Sequence, residues 1–206
     1  AVMPEAHRDL FGYCNAVIWP LFHYLPAQLP LEIRSFGEYR RVNQRFAEAV
    51  VEHYRDGDLI WIHDYQLMLV PELVRKRLPC ARIGFFLHIP FPSSELFRTL
   101  PERDAILAGL LGADLIGFHT TAYLRNFASA LLRSLGVSTE IDRLTWRGRS
   151  IRLGCFGMGI DARGFDAMAR DASVLERARE VRADGETKIL LGIDRLDLLQ
   201  RVDDRE

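Results

Sequence analysis

The chain has 206 residues, 49% apolar and 27% charged, a composition ordinary for a globular protein with room for one full domain and the start of another. Lysine plus arginine (27) nearly cancels aspartate plus glutamate (28), so charge gives no case for nucleic acid or a membrane surface as partner. Three scattered cysteines, Cys14, Cys80 and Cys155, supply neither a disulfide framework nor a paired zinc motif and fit a reducing cytoplasm.

The first element, "CNAVIWPLFHYLP" (14–26), is aromatic-rich and holds two prolines. It reads as core, with Trp19, Phe22 and Tyr24 filling space beneath a sheet. An indole at a site rim would instead offer a flat apolar face and one N–H, suited to a sugar ring, but composition favours core. Ser35 and Glu38 then form an S-x-x-E capping box ahead of Tyr39, Val42, Phe46 and Val50, which share one helix face. Gly57 and Asp58 end that helix.

Three segments then repeat one theme: an apolar run, a polar residue at its end, and a helical pattern. "DLIWIHD" leads into "QLMLVPELVRKRL", "ARIGFFLHIPF" into "SSELFRTL" and "PERDAILAGLLGA", and "ADLIGFHT" into "TAYLRNFASALLRSLG". Such alternation predicts an α/β fold, a parallel sheet with helices on both faces. Pro101 suits a first helical turn, and Gly112 and Gly136 are candidate helix stops. "LTWRGRSIRL" predicts a hairpin turning at Arg147-Gly148. "TKILLGIDRLD" opens another strand. No apolar run approaches the ~18–20 residues of a membrane span, and "AVMPEAHRDL" is no signal peptide. The ending "QRVDDRE" closes no element, as expected of a fragment.

In an open parallel sheet, ligands bind beyond the carboxyl ends of the strands. Those ends carry His63-Asp64, His88, His119 and Asp194-Arg195. Asp64 fits an N-cap and a ligand contact equally well, and the two roles are compatible. A lone His88 is more often a buried histidine satisfied by a carbonyl. Pro90 and Pro92 stiffen its neighbourhood and add weight to function. A metal cluster of His63, Asp64, His88 and His119 is disfavoured, because none has HxxxH or HExxH spacing and three strands would have to bring them together. No G-x-S-x-G elbow marks a serine hydrolase. The glycines of "GCFGMGID" (154–161) miss the dinucleotide fingerprint and read as close backbone passage. Cys14 and Cys155 read as small buried residues.

Taken together, "NAVIWPLFHYLP", "LIWIHDYQLMLVPEL", "IGFFLHIPFPSSELFRTLP", "LLGADLIGFHT", "GID" at 159–161 and "LLGIDRLD" resemble the trehalose-6-phosphate synthases, retaining glycosyltransferases of the GT-B fold. The blocks follow the family's order over nearly the whole chain. The resemblance implies a Rossmann-like acceptor-side domain over 1–185, lacking its first strands, and the first strand of a donor-binding domain over 186–206. It implies transfer of glucose from UDP-glucose to glucose-6-phosphate, with no cofactor and no metal, the diphosphate being met by side-chain cations. By motif, Asp64 matches the aspartate against the acceptor sugar, Trp19 the acceptor-pocket tryptophan, His88 the histidine on the donor glucose, and Arg195 the arginine on the donor diphosphate. Asp64 and His88 are thus the residues assigned to catalysis. Two positions depart from the family: Leu10 stands where a tyrosine is common and Gln200 where a phosphate-binding lysine is usual, with Arg201 adjacent. These departures keep open a synthase with another acceptor, such as glycerol-3-phosphate, and a catalytically silent homologue that binds sugar phosphate and regulates. A homo-oligomer is compatible with the sequence.

Overall fold

The structure, a computed structural model, describes residues 12–30, 36–182 and 190–192. The chain divides into two units, Ala1–Gly157 and Met158–Glu206. The first opens with a π-helical turn, Cys14–Ile18, that runs into the short helix α1 (Trp19–Phe22). Helix α2 (Phe36–His53) buries Tyr39, Val42, Asn43 and Ala47 along one face, with the expected Phe46 and Val50 partly buried beside them. Strand β1 (Leu59–His63) passes through a 3₁₀ turn, Tyr65–Leu67, into α3 (Val70–Arg77). Next come β2 (Arg82–Leu87), α4 (Ser94–Phe97), α5 (Arg103–Leu110), β3 (Leu115–Phe118) and α6 (Thr121–Leu135). Strands β4 (Thr139–Glu140), β5 (Arg143–Trp146) and β6 (Arg149–Cys155) complete the unit. In the second unit, α7 (Ala162–Ala169) and α8 (Ala172–Arg182) are described.

The expected α/β sheet forms. Its six strands among the described residues run in the order β1-β2-β3-β6-β5-β4. The first four are mutually parallel, and β5 and β4 are added antiparallel. The hairpin between β5 and β6 turns at Arg147 (φ 50°) and Gly148 (φ 76°), the two positive φ values of a type I′ turn. Alternate residues of the parallel strands, among them Ile62, Phe85, Leu87, Ile116 and Leu153, are buried against helix residues such as Val74, Leu107 and Phe127. The opposite face carries Leu59 and Trp61, both 65% exposed, and Phe156 at 51%. In the first unit the described helices therefore layer one sheet face; of the helices expected on both faces, a layer on the side of Leu59 and Trp61 is not among the described residues.

Several local expectations resolve differently. Gly136 is a left-handed helix stop at φ 67°, as expected. Gly112 is not a stop of that kind: a Cβ there would fall inside the backbone of Pro71 and Glu72, so this glycine permits close approach of α3. Pro101 lies before the first turn of α5, where Glu102 takes the cap position. Cys155 and Tyr24 are exposed, whereas Cys14 is buried. Ser35 and the strand predicted around Asp194 and Arg195 lie outside the described residues.

The amino end of β3 is fastened by a polar network. Asp114 accepts from Arg75 Nη2 and Arg149 Nη2, each at 2.7 Å, and from the Ile83 N–H at 2.8 Å. The buried Arg75 also donates to the carbonyls of Gly112, Pro79 and Ala81. These bonds satisfy strand and loop ends at the edge of the sheet opposite the histidines. No helix among the described residues is long and apolar enough to cross a membrane.

Candidate active site

Parallel pairing brings the strand ends into line. His63 pairs in register with Phe86, and Leu87 with Phe118, so His63, His88 and His119 emerge side by side. His63 Nδ1 lies 2.9 Å from His88 Nε2, with the rings stacked at 5.1 Å and 27°. The His119 ring meets His88 edge-on at 5.6 Å, and Phe86 touches both, at 4.8 and 4.9 Å. His119 Nδ1 is buried without a hydrogen-bond partner among the described residues. The three histidines thus meet after all. The reason is topological: each follows its apolar run at nearly the same offset, and neighbouring parallel strands preserve that offset. Among the described residues, no group of three histidine, cysteine or acidic side chains is arranged to hold a metal ion.

Asp64 sits directly after β1 with φ 70° and ψ 172°. That backbone region belongs essentially to glycine and costs an aspartate about 1–3 kcal/mol. Its side chain makes no helix-cap bond. Instead its Oδ1 accepts the His88 backbone N–H at 3.1 Å, while its own N–H donates to the Phe86 carbonyl at 2.8 Å. Of the two roles the sequence left open for Asp64, the cap is not formed. His88 is likewise not the buried, carbonyl-satisfied histidine: it is exposed, and its ring partner is another imidazole.

The turn after Asp64 is held from beneath by α2. Tyr39 Oη donates to the Tyr65 carbonyl at 2.8 Å and accepts the Met68 N–H at 3.1 Å. Asn43 donates to the Gln66 carbonyl at 3.0 Å and accepts the Leu69 N–H at 3.1 Å. Both side chains are fully buried, so every polar group they carry has a reason to be paired. Trp19, half-buried at the start of α1, packs on His23 at 3.9 Å and on Tyr65 at 5.7 Å. It therefore meets the Asp64 corner through the next residue along. Arg195, Leu10 and Gln200 lie outside the described residues.

The Asp64 charge is felt around it. Burial first, then Asp64, pushes the Cys14 thiol up to about 12, which leaves it protonated and unreactive. Burial, Cys14 and Asp64 push the Tyr65 phenol up to about 12. His88 is lowered from the ordinary imidazole value, chiefly by partial burial and further by His63 and His119, against the opposing pull of Asp64. The corner thus offers a carboxyl side chain, an imidazole whose uncharged form burial favours, and an indole packed beside them. That set is suited to gripping sugar hydroxyls and contains no activated nucleophile.

The sequence flagged Asp64, His88 and Trp19 and missed the supporting roles of His63, Tyr39, Asn43 and Tyr65. A histidine ending each of three successive apolar runs was the readable sign for His63. Nothing in one sequence marks Tyr39 or Asn43 beyond a helix face.

This mostly parallel sheet, with polar residues gathered beyond its carboxyl ends, matches the N-terminal domains of solved glycosyltransferases of the GT-B fold. The chain belongs to glycosyltransferase family 20, which residues 3–205 match. It is 44% identical over 198 residues to the UDP-forming alpha,alpha-trehalose-phosphate synthase A of Dictyostelium discoideum, covering 96% of this chain and 27% of that protein. Among solved structures, the N-terminal domain of Candida albicans trehalose-6-phosphate phosphatase superposes with a TM-score of 0.79 at 34% identity, covering 90% of this chain and 40% of that one. A UDP-forming alpha,alpha-trehalose-phosphate synthase from Burkholderia xenovorans, in complex with glucose-6-phosphate, gives 0.76 at 31% identity, covering 89% and 41%. The chain thus spans from about a quarter to two fifths of the length of these relatives.

Proposed function

We propose that the chain supplies the acceptor-side half of a retaining glucosyltransferase that moves glucose from UDP-glucose to glucose-6-phosphate and yields trehalose-6-phosphate. The observation that carries this reading is Asp64, held in a glycine-like conformation with its carboxylate turned to the His88 N–H. Strain of this kind persists only where the surrounding fold imposes it, and it concentrates at functional sites. The UDP-forming relative and the relative solved with glucose-6-phosphate support the choice of donor and acceptor.

In this reading Asp64 accepts from acceptor-sugar hydroxyls, Trp19 backs the acceptor ring, and His88 meets a hydroxyl of the donor glucose. Arg195 holds the donor diphosphate. The bond to the leaving phosphate breaks as the acceptor oxygen bonds to the same face of the glucose, and the leaving phosphate takes the acceptor's proton. The side chains then contribute position and charge complementarity, with no covalent step. Residues from 186 onward begin the donor-binding domain, so a site between two domains needs more than this chain.

A second reading has its own support. The likeness to a domain of a protein named a phosphatase, with Leu10 and Gln200 at two altered positions, favours a silent sugar-phosphate-binding homologue. The test is UDP release by the full-length protein, given UDP-glucose with either glucose-6-phosphate or glycerol-3-phosphate, alongside thermal shifts with each. Release with glucose-6-phosphate is expected. Release only with glycerol-3-phosphate moves the acceptor assignment, and thermal shifts without release establish the silent reading.

A further inference from the structure

His63 makes a contact that the reading above leaves unused. His88 is pinned twice from the end of β1: its backbone N–H by the Asp64 carboxylate, and its Nε2 by His63 Nδ1. The stacked arrangement is closed on the far side by Trp61, whose ring lies 4.6 Å from that of His63. His88 Nδ1 has no partner among the described residues, which makes it the ring nitrogen left for a ligand.

A neutral imidazole carries one N–H and one lone pair, so the bridge can be occupied in two ways. If His63 Nδ1 donates, both rings hold their proton on Nδ1, and His88 shows a ligand an N–H. If His88 Nε2 donates, both rings hold their proton on Nε2, and His88 shows a lone pair at Nδ1. A histidine side chain holds its proton more readily on Nε2, the nitrogen remote from the Cβ substituent. The second occupancy satisfies that preference in both rings, and the first violates it in both.

We propose that His63 is a positioning residue that keeps the proton of His88 on Nε2, so that His88 Nδ1 meets the substrate as a hydrogen-bond acceptor for a sugar hydroxyl. The acceptor half rests on the contact between His88 and sugar put forward above; the proton's location does not. The same side chain fixes the ring plane of His88, since a 2.9 Å bond at Nε2 and stacking at 5.1 Å leave it little rotation.

Heteronuclear NMR of the imidazole nitrogens in the 206-residue chain decides the proton's location. His88 is expected to be Nε2-protonated and Nδ1-bare in the wild type. His63→Asn offers a carbonyl near the old Nδ1 and should keep that tautomer, whereas His63→Phe should give a mixture. A His88 protonated on Nδ1 in the wild type, or a tautomer unchanged in His63→Phe with an intact backbone spectrum, overturns the proposal. In the full-length protein, His63→Phe should lower kcat/KM about tenfold, the loss expected when one oriented hydrogen bond is removed. His63→Asn should recover most of it. Equal losses in the two variants would assign His63 a merely structural role. Wild-type turnover by His88→Ala would instead strike the site reading itself, leaving the NMR result to stand or fall separately.

Discussion

The Asp64 carboxylate accepts the backbone N–H of His88 at 3.1 Å and thereby ties the end of β1 to the end of β2. One bond joins the strained residue after β1 to the residue that meets the other two histidines. It also explains why an aspartate occupies a backbone geometry that glycine would adopt freely: the side chain, once there, has a fixed job.

That conflict is measurable. Asp64→Gly releases the strain and loses the bond, whereas Asp64→Ala loses the bond and keeps the strain. Urea unfolding should therefore find Asp64→Gly about 1–2 kcal/mol more stable than Asp64→Ala. Equal stability would mean that the φ of 70° carries no energetic burden.

The lowered pKa of His88 has a signed consequence for stability. Its folded value lies below the ordinary 6.5 of the unfolded chain, so in that window the unfolded state binds more protons. The stability tied to neutral His88 is complete above about 6.5 and is lost as pH falls toward the folded value. The groups facing it are Asp64, which opposes this shift, and His63 and His119, which add to it. Comparing pH-dependent unfolding of wild type and His88→Leu should show a shallower acid-side decline in the variant. An identical decline contradicts the assignment.

Two glycines separate packing from function. Gly112→Ala drives a methyl group into the Pro71–Glu72 backbone and should destabilise by about 3 kcal/mol or more. Gly37→Ala meets no atom within 4 Å on helix α2 and should stabilise by about 0.5–1 kcal/mol. Thermal unfolding of both variants checks the order, and the reverse order would place the α3–α5 contact wrongly.

Much of this architecture was legible because it is local. Apolar runs followed by helical periods announced the parallel strands, and Arg147-Gly148 and Gly136 announced their own backbone signs. The histidine row was only half legible. Each His closes a strand visibly, but whether the three meet depends on strand order and register, which are set by burial far along the chain. Gly112 does follow the end of α5, but a stop and a close approach both call for glycine, and only the position of Pro71 and Glu72 shows that close approach is what requires it here. The Asp64 cap failed for a related reason: capping needs an extended backbone with φ below zero, and φ 70° aims the carboxylate at β2 instead.

The expectation for the isolated chain is equally definite. With the site proposed to lie between two domains, the purified 206-residue chain should release no UDP from UDP-glucose in the presence of glucose-6-phosphate. Measurable glucosyl transfer by it would overturn the two-domain account.

The most direct test of the central claim is kcat/KM of Asp64→Ala in the full-length protein, measured as UDP release with UDP-glucose and glucose-6-phosphate. If the carboxylate grips a sugar hydroxyl more tightly in the transition state than in the ground state, the variant should lose about 100-fold or more while its unfolding remains cooperative. Turnover near that of the wild type, in a folded variant, would contradict the account.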